Sequence, residues 1–369
     1  MEKLNSNVSA RQIILFFALF SPVAKLFIMP ASYCFYAGKD CWIGVIFQGV
    51  IDVLCLLAIL YVMKNDGRSL SDILDDAVCI AGRKIIMLLF ALYFLAKSVV
   101  PILEELLICY EVLYESTPKL IFFIPLFFAM FYSAISGFNG TMRTIELFAP
   151  FVAFSLFGIG FLSVSSLDIE ELFPVFEFGV RPLGTGVIAH LGWFGDFSVL
   201  LLLLNNCHVG KKQVKHIALS YFIGIAIVAA FLVITVEIFG NSAPRQVFML
   251  SKISKYSIAF SNLGRIDFLF IIVLFMATTL FTCIYITAAV KCLSSVTGLK
   301  PWINSLIATV MTGTFSIAML ERTYSVIEFV QKYSLALFAP FQYVFPFALA
   351  LISKRSRRNE KINQRKQPA

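Results

Sequence analysis

Charge is what this chain lacks most. Asp, Glu, Lys and Arg make up 14% of its 369 residues, against 59% hydrophobic residues. A soluble globular chain carries about a quarter charged residues, so the composition excludes an ordinary water-soluble fold. Histidine is scarce too, at His190, His208 and His216. No H-E-x-x-H or paired-ligand spacing occurs, which speaks against a metal centre. The eight cysteines form no C-x-x-C, and most lie inside apolar runs. They read as small packing residues rather than a disulfide frame. There is no nucleophile motif and no phosphate loop, so an enzyme is the weakest functional class. No small-residue cleavage pattern follows the first apolar run, and that run is expected to be retained.

Apolar length is what the chain has in abundance. Mean hydropathy is +0.87, and Phe alone occurs 39 times. A spanning helix needs about 20 mostly apolar residues. Ten candidate spans are expected, near 12–37, 42–63, 85–114, 120–138, 144–164, 185–206, 216–239, 267–293, 302–320 and 333–353. Placing both ends in the cytoplasm leaves 19 basic residues inside and nine outside, with Lys25 and Lys97 inside spans. That asymmetry favours cytoplasmic termini. Seven of the basic residues sit in the tail 354–369. Together with the net charge of +8 this suits anionic lipid better than nucleic acid, which is not expected as a partner. Two long outer connections are expected, 165–184 and 240–266, the second with an amphipathic stretch from Arg245 to Ser261 suited to an interfacial helix.

Polar residues inside spans mark the candidate site. The first run is interrupted at Ser21-Pro22-Val23-Ala24-Lys25 and again at Pro30. Proline breaks the helical ladder, and a lysine at that depth is costly unless paired or facing a cavity. Irregular backbone there is tolerated only inside protein. The sixth run carries Gly192, Trp193, Phe194, Gly195 and Asp196. Its glycines suit either close helix packing or a second break, and the acid needs a partner. In the third run Lys97, Glu104 and Glu111 are seven apart and fall near one face, with Glu105 beside them. Either this is an inward stripe, or the outer acids reach the headgroups. Asp52 is a weaker candidate, better suited to a buried hydrogen-bonding role. Thr282 and Tyr285 in the eighth run either bond to their own helix or line a solute path. Breaks in runs one and six, five helices apart, match a five-plus-five inverted repeat over about 12–164 and 185–353, with helix ends aimed at a midplane ligand.

Three stretches carry a family resemblance. Val8-Ser9-Ala10-Arg11-Gln12 resembles the S-x-x-Q start of spore germination receptor B subunits. Ala37 to Gly44 resembles their AG-x-DAWIS turn, and Gly264 to Phe270 their R-x-D-x-x-F lead into span eight. Members are similar to amino-acid permeases of the amino acid–polyamine–organocation superfamily. The resemblance implies an all-α integral membrane protein of LeuT type, ten helices in one domain over 1–369, in a bacterial cell membrane or spore inner membrane. It implies a subunit binding a small germinant, usually an amino acid, with an A-type subunit and a C-type lipoprotein as partners. No cofactor is implied. The expected pocket combines Ala24, Lys25, Lys97, Glu104, Gly192, Trp193, Phe194, Gly195, Asp196, Thr282 and Tyr285. Two departures stand out. The family's first break is rich in glycine, and many relatives carry a basic residue where this chain has Phe281. Lys25 is therefore expected to supply that charge, at a place where sodium-coupled members of the fold hold a cation. The competing class is a secondary transporter coupled to protons through Glu104 or Asp196.

Overall fold

The computed structural model describes residues 8–113, 118–177, 179–207, 209–256 and 266–366. His208, Gly264 and Arg265, and the end of the amphipathic stretch beyond Tyr256, lie outside the described residues. Within them the chain is helical throughout. The main helices are α1 (Ala10–Leu15), α2 (Met29–Ala37), α3 (Cys41–Asn65), α4 (Ile80–Ile108), α5 (Lys119–Ser163), α6 (Val180–Ala189), α7 (Lys211–Phe239), α8 (Ile266–Thr297), α9 (Pro301–Met319), α10 (Thr323–Ala339) and α11 (Phe345–Lys366). Six helical stretches among the described residues are long and apolar enough to cross a membrane. This is a multi-pass membrane protein.

α8 is the centre of the bundle. It packs along both α4 and α5, and from Phe281 to Val290 every side chain is buried. α3 packs on α7 and α11, while α2 packs on α6. The faces turned outward are rich in Phe and Leu, including Phe154, Phe157 and Phe161 of α5. Such side chains face lipid at no hydrophobic cost.

Several boundaries differ from the sequence expectation, each for a local reason. Runs four and five are separated only by a kink within α5, at Gly137 with φ 70°. A residue in that conformation kinks the helix without a loop, and glycine tolerates it. Helix α10 begins at Thr323 rather than near 333. Its first turns are polar yet bury Gln331, which donates to Ser32 Oγ, and Ser334, which donates to Ile188 O. The final helix runs on into the basic tail to Lys366. Glu111 falls on the π turn Cys109–Leu113 and is exposed, so the expected stripe ends at Glu104. The wider π turn rotates it off the face set by Lys97. Glu105 is fully buried rather than at the headgroups. The helix Met249–Tyr256 buries Met249, Leu250 and Ile253 against the bundle. Met249 N–H donates to Phe27 O at 3.1 Å, capping the broken first span.

Candidate functional site

Pro22 has no N–H to give, and the first span departs from regular α-helix on both sides of it. The chain runs from α1 through a π turn, Phe16–Phe20, and a short turn, Ser21–Val23, before leaving the helix until Met29. A π turn widens the ladder where a bond has been lost. Beyond it, Lys25 N–H donates to Pro22 O at 2.9 Å. That leaves Ser21 O without its usual partner four residues on. Lys25 fills the vacancy with its own side chain, donating from Nζ to Ser21 O at 2.8 Å and to Ser21 Oγ at 3.0 Å.

The second break follows α6. A 3₁₀ turn, Leu191–Trp193, leads to Phe194 in extended conformation and Gly195 in the left-handed region at φ 78° and ψ 24°. A 3₁₀ segment, Asp196–Leu202, then begins. Three other helices satisfy the freed backbone. Lys97 of α4 donates to Phe194 O, as does Gln342 Nε2 at 2.8 Å. Gly195 N–H donates to Asp52 Oδ2 of α3 at 3.0 Å. Gly195 is required here twice over: for its positive φ, and because a Cβ would lie 2.4 Å from Gln342.

The two breaks meet at Asp196. Its Oδ2 accepts from Lys25 Nζ and Ser21 Oγ, and its Oδ1 accepts from Tyr285 OH at 2.6 Å. Lys97 Nζ stands 3.5 Å from Oδ1. Lys25, Lys97 and Asp196 are 1%, 4% and 0% exposed. Aromatic faces complete the surroundings: Lys25 Nζ lies 5.6 Å from the Phe194 and Phe281 ring centroids, and Lys97 Nζ lies 5.2 Å from that of Tyr285. Weakly hydrated ring faces favour an ammonium taken out of water.

On the far side of Gly195 lies a second cluster, about Asp52. Tyr221 OH donates to Asp52 Oδ2 at 2.5 Å, while Tyr343 OH and Gln48 Nε2 both reach Oδ1 at 2.9 Å. Tyr343 and Gln342 come from another π turn, Pro340–Val344.

Of the expected site residues, Lys25, Lys97, Phe194, Gly195, Asp196 and Tyr285 converge directly. Ala24, Lys97, Gly192 and Trp193 line a small cavity of about 20 Å³ beside them, closed by Phe281, Val330 and Phe338. Such a volume holds about one water. Glu104 stands on the outer rim of this group, its Oε1 accepting from Trp193 Nε1 at 3.2 Å. Its Oε2 is buried without a partner, as is the Thr282 hydroxyl. Asp52, Ser21, Tyr221, Tyr343 and Gln342 lie outside the expected pocket, and Asp52 has the buried hydrogen-bonding role that its sequence position suggests. Among the described residues, no three His, Cys, Asp or Glu side chains converge as a metal site would require.

Comparison with known proteins gives this geometry a setting. Residues 7–326 match the family described as spore germination protein. The Bacillus subtilis protein YfkT is 27% identical over 245 residues, 66% of this chain and 66% of YfkT. The B. subtilis spore germination protein YndE is 24% identical over 201 residues, 53% of each chain. The matched part thus spans just under two thirds of one relative and about half of the other. Among solved structures, the chain is similar to an Eremococcus coleocola manganese transporter bound to an aromatic bis-isothiourea substituted compound. The TM-score is 0.59 at 12% identity, over 96% of this chain and 88% of the transporter. A mutant of that transporter gives 0.57 at 11% identity, over 93% and 83%. At such identities the likeness is one of fold.

Proposed function

This chain belongs to the spore germination protein family, and from that premise we propose that it is a germinant-sensing membrane subunit whose pocket lies between the two broken spans. The observation carrying this reading is the meeting of Lys25, Lys97 and Asp196, deeply buried, beside a cavity lined by Trp193, Phe281 and Phe338. Buried charge at membrane depth is expensive and marks function by default. The chemistry suits an α-amino acid with an apolar side chain. Its carboxylate would take Lys97, its amine would take Asp196 in exchange for the Lys25 ammonium, and its side chain would spread into the aromatic cavity. At about 20 Å³ the cavity is too small for an amino acid, so binding has to widen it. That widening is the event a sensor would transmit.

The wider reading is one permease-like domain of ten helices in a five-plus-five inverted repeat, with both termini cytoplasmic. Its setting is a cell membrane or spore inner membrane, and its partners are an A-type subunit and a C-type lipoprotein. Paired breaks and the shared fold with a transporter support it. Because the Lys25 ammonium occupies the carboxylate that an ion would otherwise meet, response should not need sodium. Replacing sodium with choline tests this, and a strict sodium requirement would sink it.

Ligand-induced thermal stabilisation of the detergent-purified protein tests the main reading. A ligand at about 100 times its Kd stabilises by about 2.7 kcal/mol. A shift with amino acids that vanishes in Lys97→Ala, where the ligand carboxylate loses its partner, is expected. Shifts with sugars or nucleosides alone would overturn the ligand class. A transporter is the second reading, favoured by the fold likeness. Uptake of the stabilising amino acid into proteoliposomes would establish it.

A further inference from the structure

A larger cavity lies away from the central site, where the break of α5 faces the last turns of α8. It measures about 370 Å³ and is lined by Gly137, Phe138 and Asn139 on one side and by Thr287, Lys291 and Ser294 on the other, with Asn206 between them. Lys291 is six residues beyond Tyr285 on the same helix, about 9 Å along its axis. This volume falls in the range of small-molecule sites.

Two residues lining this space carry polar groups whose partners are incomplete. Lys291 Nζ donates to Leu202 O at 2.6 Å and to Asn206 Oδ1 at 3.0 Å, both neutral acceptors. The Phe138 ring centroid is 5.7 Å away. Among the described residues no carboxylate lies within salt-bridge distance, whereas Lys25 and Lys97 share Asp196. The second group is Asn139 Oδ1, buried and without a donor. A half-buried ammonium without a counter-charge favours an anion, and a buried orphan carbonyl favours an N–H or O–H. We propose that this cavity is a second binding site, for a ligand that joins an anionic oxygen group to a neighbouring hydrogen-bond donor. The anion sits on Lys291 and the donor on Asn139 Oδ1. Both a phosphatidylglycerol headgroup and free glycerol 1-phosphate carry this pair of features. The site is independent of the germinant pocket.

Native mass spectrometry of the full chain in nonionic detergent tests the proposal with three probes: phosphatidylglycerol, phosphatidylcholine and glycerol 1-phosphate. The expected result is a single phosphatidylglycerol adduct with phosphatidylcholine at least tenfold weaker. Lys291→Gln should lose the adduct at least tenfold, Asn139→Ala should weaken it less, and Lys291→Arg should keep it. Adduct formation by glycerol 1-phosphate assigns the site to free solutes; the lipid alone assigns it to headgroups. A readout on the unmutated protein guards against a variant that fails to fold. Acetylation of Lys291 by methyl acetyl phosphate, an anionic reagent, should fall at least threefold with the bound probe. Equal adducts in Lys291→Gln, or Lys291 labelling unchanged by both anionic probes, would overturn the proposal.

Discussion

Asp196 and Asp52 flank the same glycine, are equally buried, and are satisfied by opposite means. Asp196 faces two ammonium groups on flexible stems, with hydroxyls from Ser21 and Tyr285 filling the remaining positions. Asp52 takes neutral donors: two tyrosine hydroxyls, an amide and the Gly195 N–H. The difference separates a working pole from a frame. An ammonium can give way to a ligand's ammonium without changing the charge at the carboxylate. Tyrosine rings packed among helices cannot step aside, because each donor would be left unpaired.

Five substitutions, the last read through its pH profile, would break or sharpen that contrast. Asp52→Ala should have the largest effect on stability, a loss of about 4 kcal/mol, since four donors lose their acceptor at about 1–3 kcal/mol each without full additivity. Thermal unfolding in detergent measures it, and a wild-type melting temperature would dissolve the frame. Lys25→Ala should cost less, about 2 kcal/mol, because Lys97 stays beside Asp196 and limits the penalty of an unpaired buried charge. Its mark should be a ligand-induced shift that appears at lower ligand concentration while the protein still inserts, since the competitor for Asp196 is gone. Should the concentration dependence stay unchanged, the ammonium serves the helix break alone.

Gly195→Ala tests the hinge between the poles. Its φ of 78° and the approach of Gln342 predict a cost of about 1–3 kcal/mol, with ligand affinity falling alongside stability. Tyr285→Phe removes one neutral donor from Asp196 and should cost about 1 kcal/mol, read as a small drop in melting temperature. The smallest effect belongs to a strap outside the spans. Asp76 is held below the usual carboxylate range by the Ser356 hydroxyl and then by Arg68, which also bonds Asp66. A depressed carboxyl stabilises above its unfolded pKa and loses that contribution as pH falls through its folded value. Asp76→Asn should therefore lower the neutral plateau slightly and flatten the acid limb, with the two profiles converging at low pH.

Proline and charge made the breaks legible in the sequence. Ser21 to Lys25 and Gly192 to Asp196 violate what a lipid-spanning helix requires, and the structure breaks at both. The S-x-x-Q start has a physical reading as well: Ser9 and Gln12 cap each other's backbone at the head of α1, and Gln12 also donates to Glu146 at 3.1 Å. The frame was hidden because its parts are ordinary residues far apart in the chain. Tyr221 and Tyr343 stand 169 and 291 positions from Asp52, and neither spacing nor hydropathy distinguishes them from packing tyrosines. The π turns were hidden too. Each shifts the helical register by a fraction of a turn, which removed Glu111 from the expected stripe and brought Gln342 and Tyr343 to the break.

The Lys25 ammonium is tied by four methylenes to the strand of chain it clamps. Any amine arriving at Asp196 meets a competitor that never diffuses away, present at an effective concentration on the order of millimolar or more. A weak encounter cannot win that exchange; only sustained abundance of a well-fitting solute can. One side chain thereby gives the molecule a detection floor.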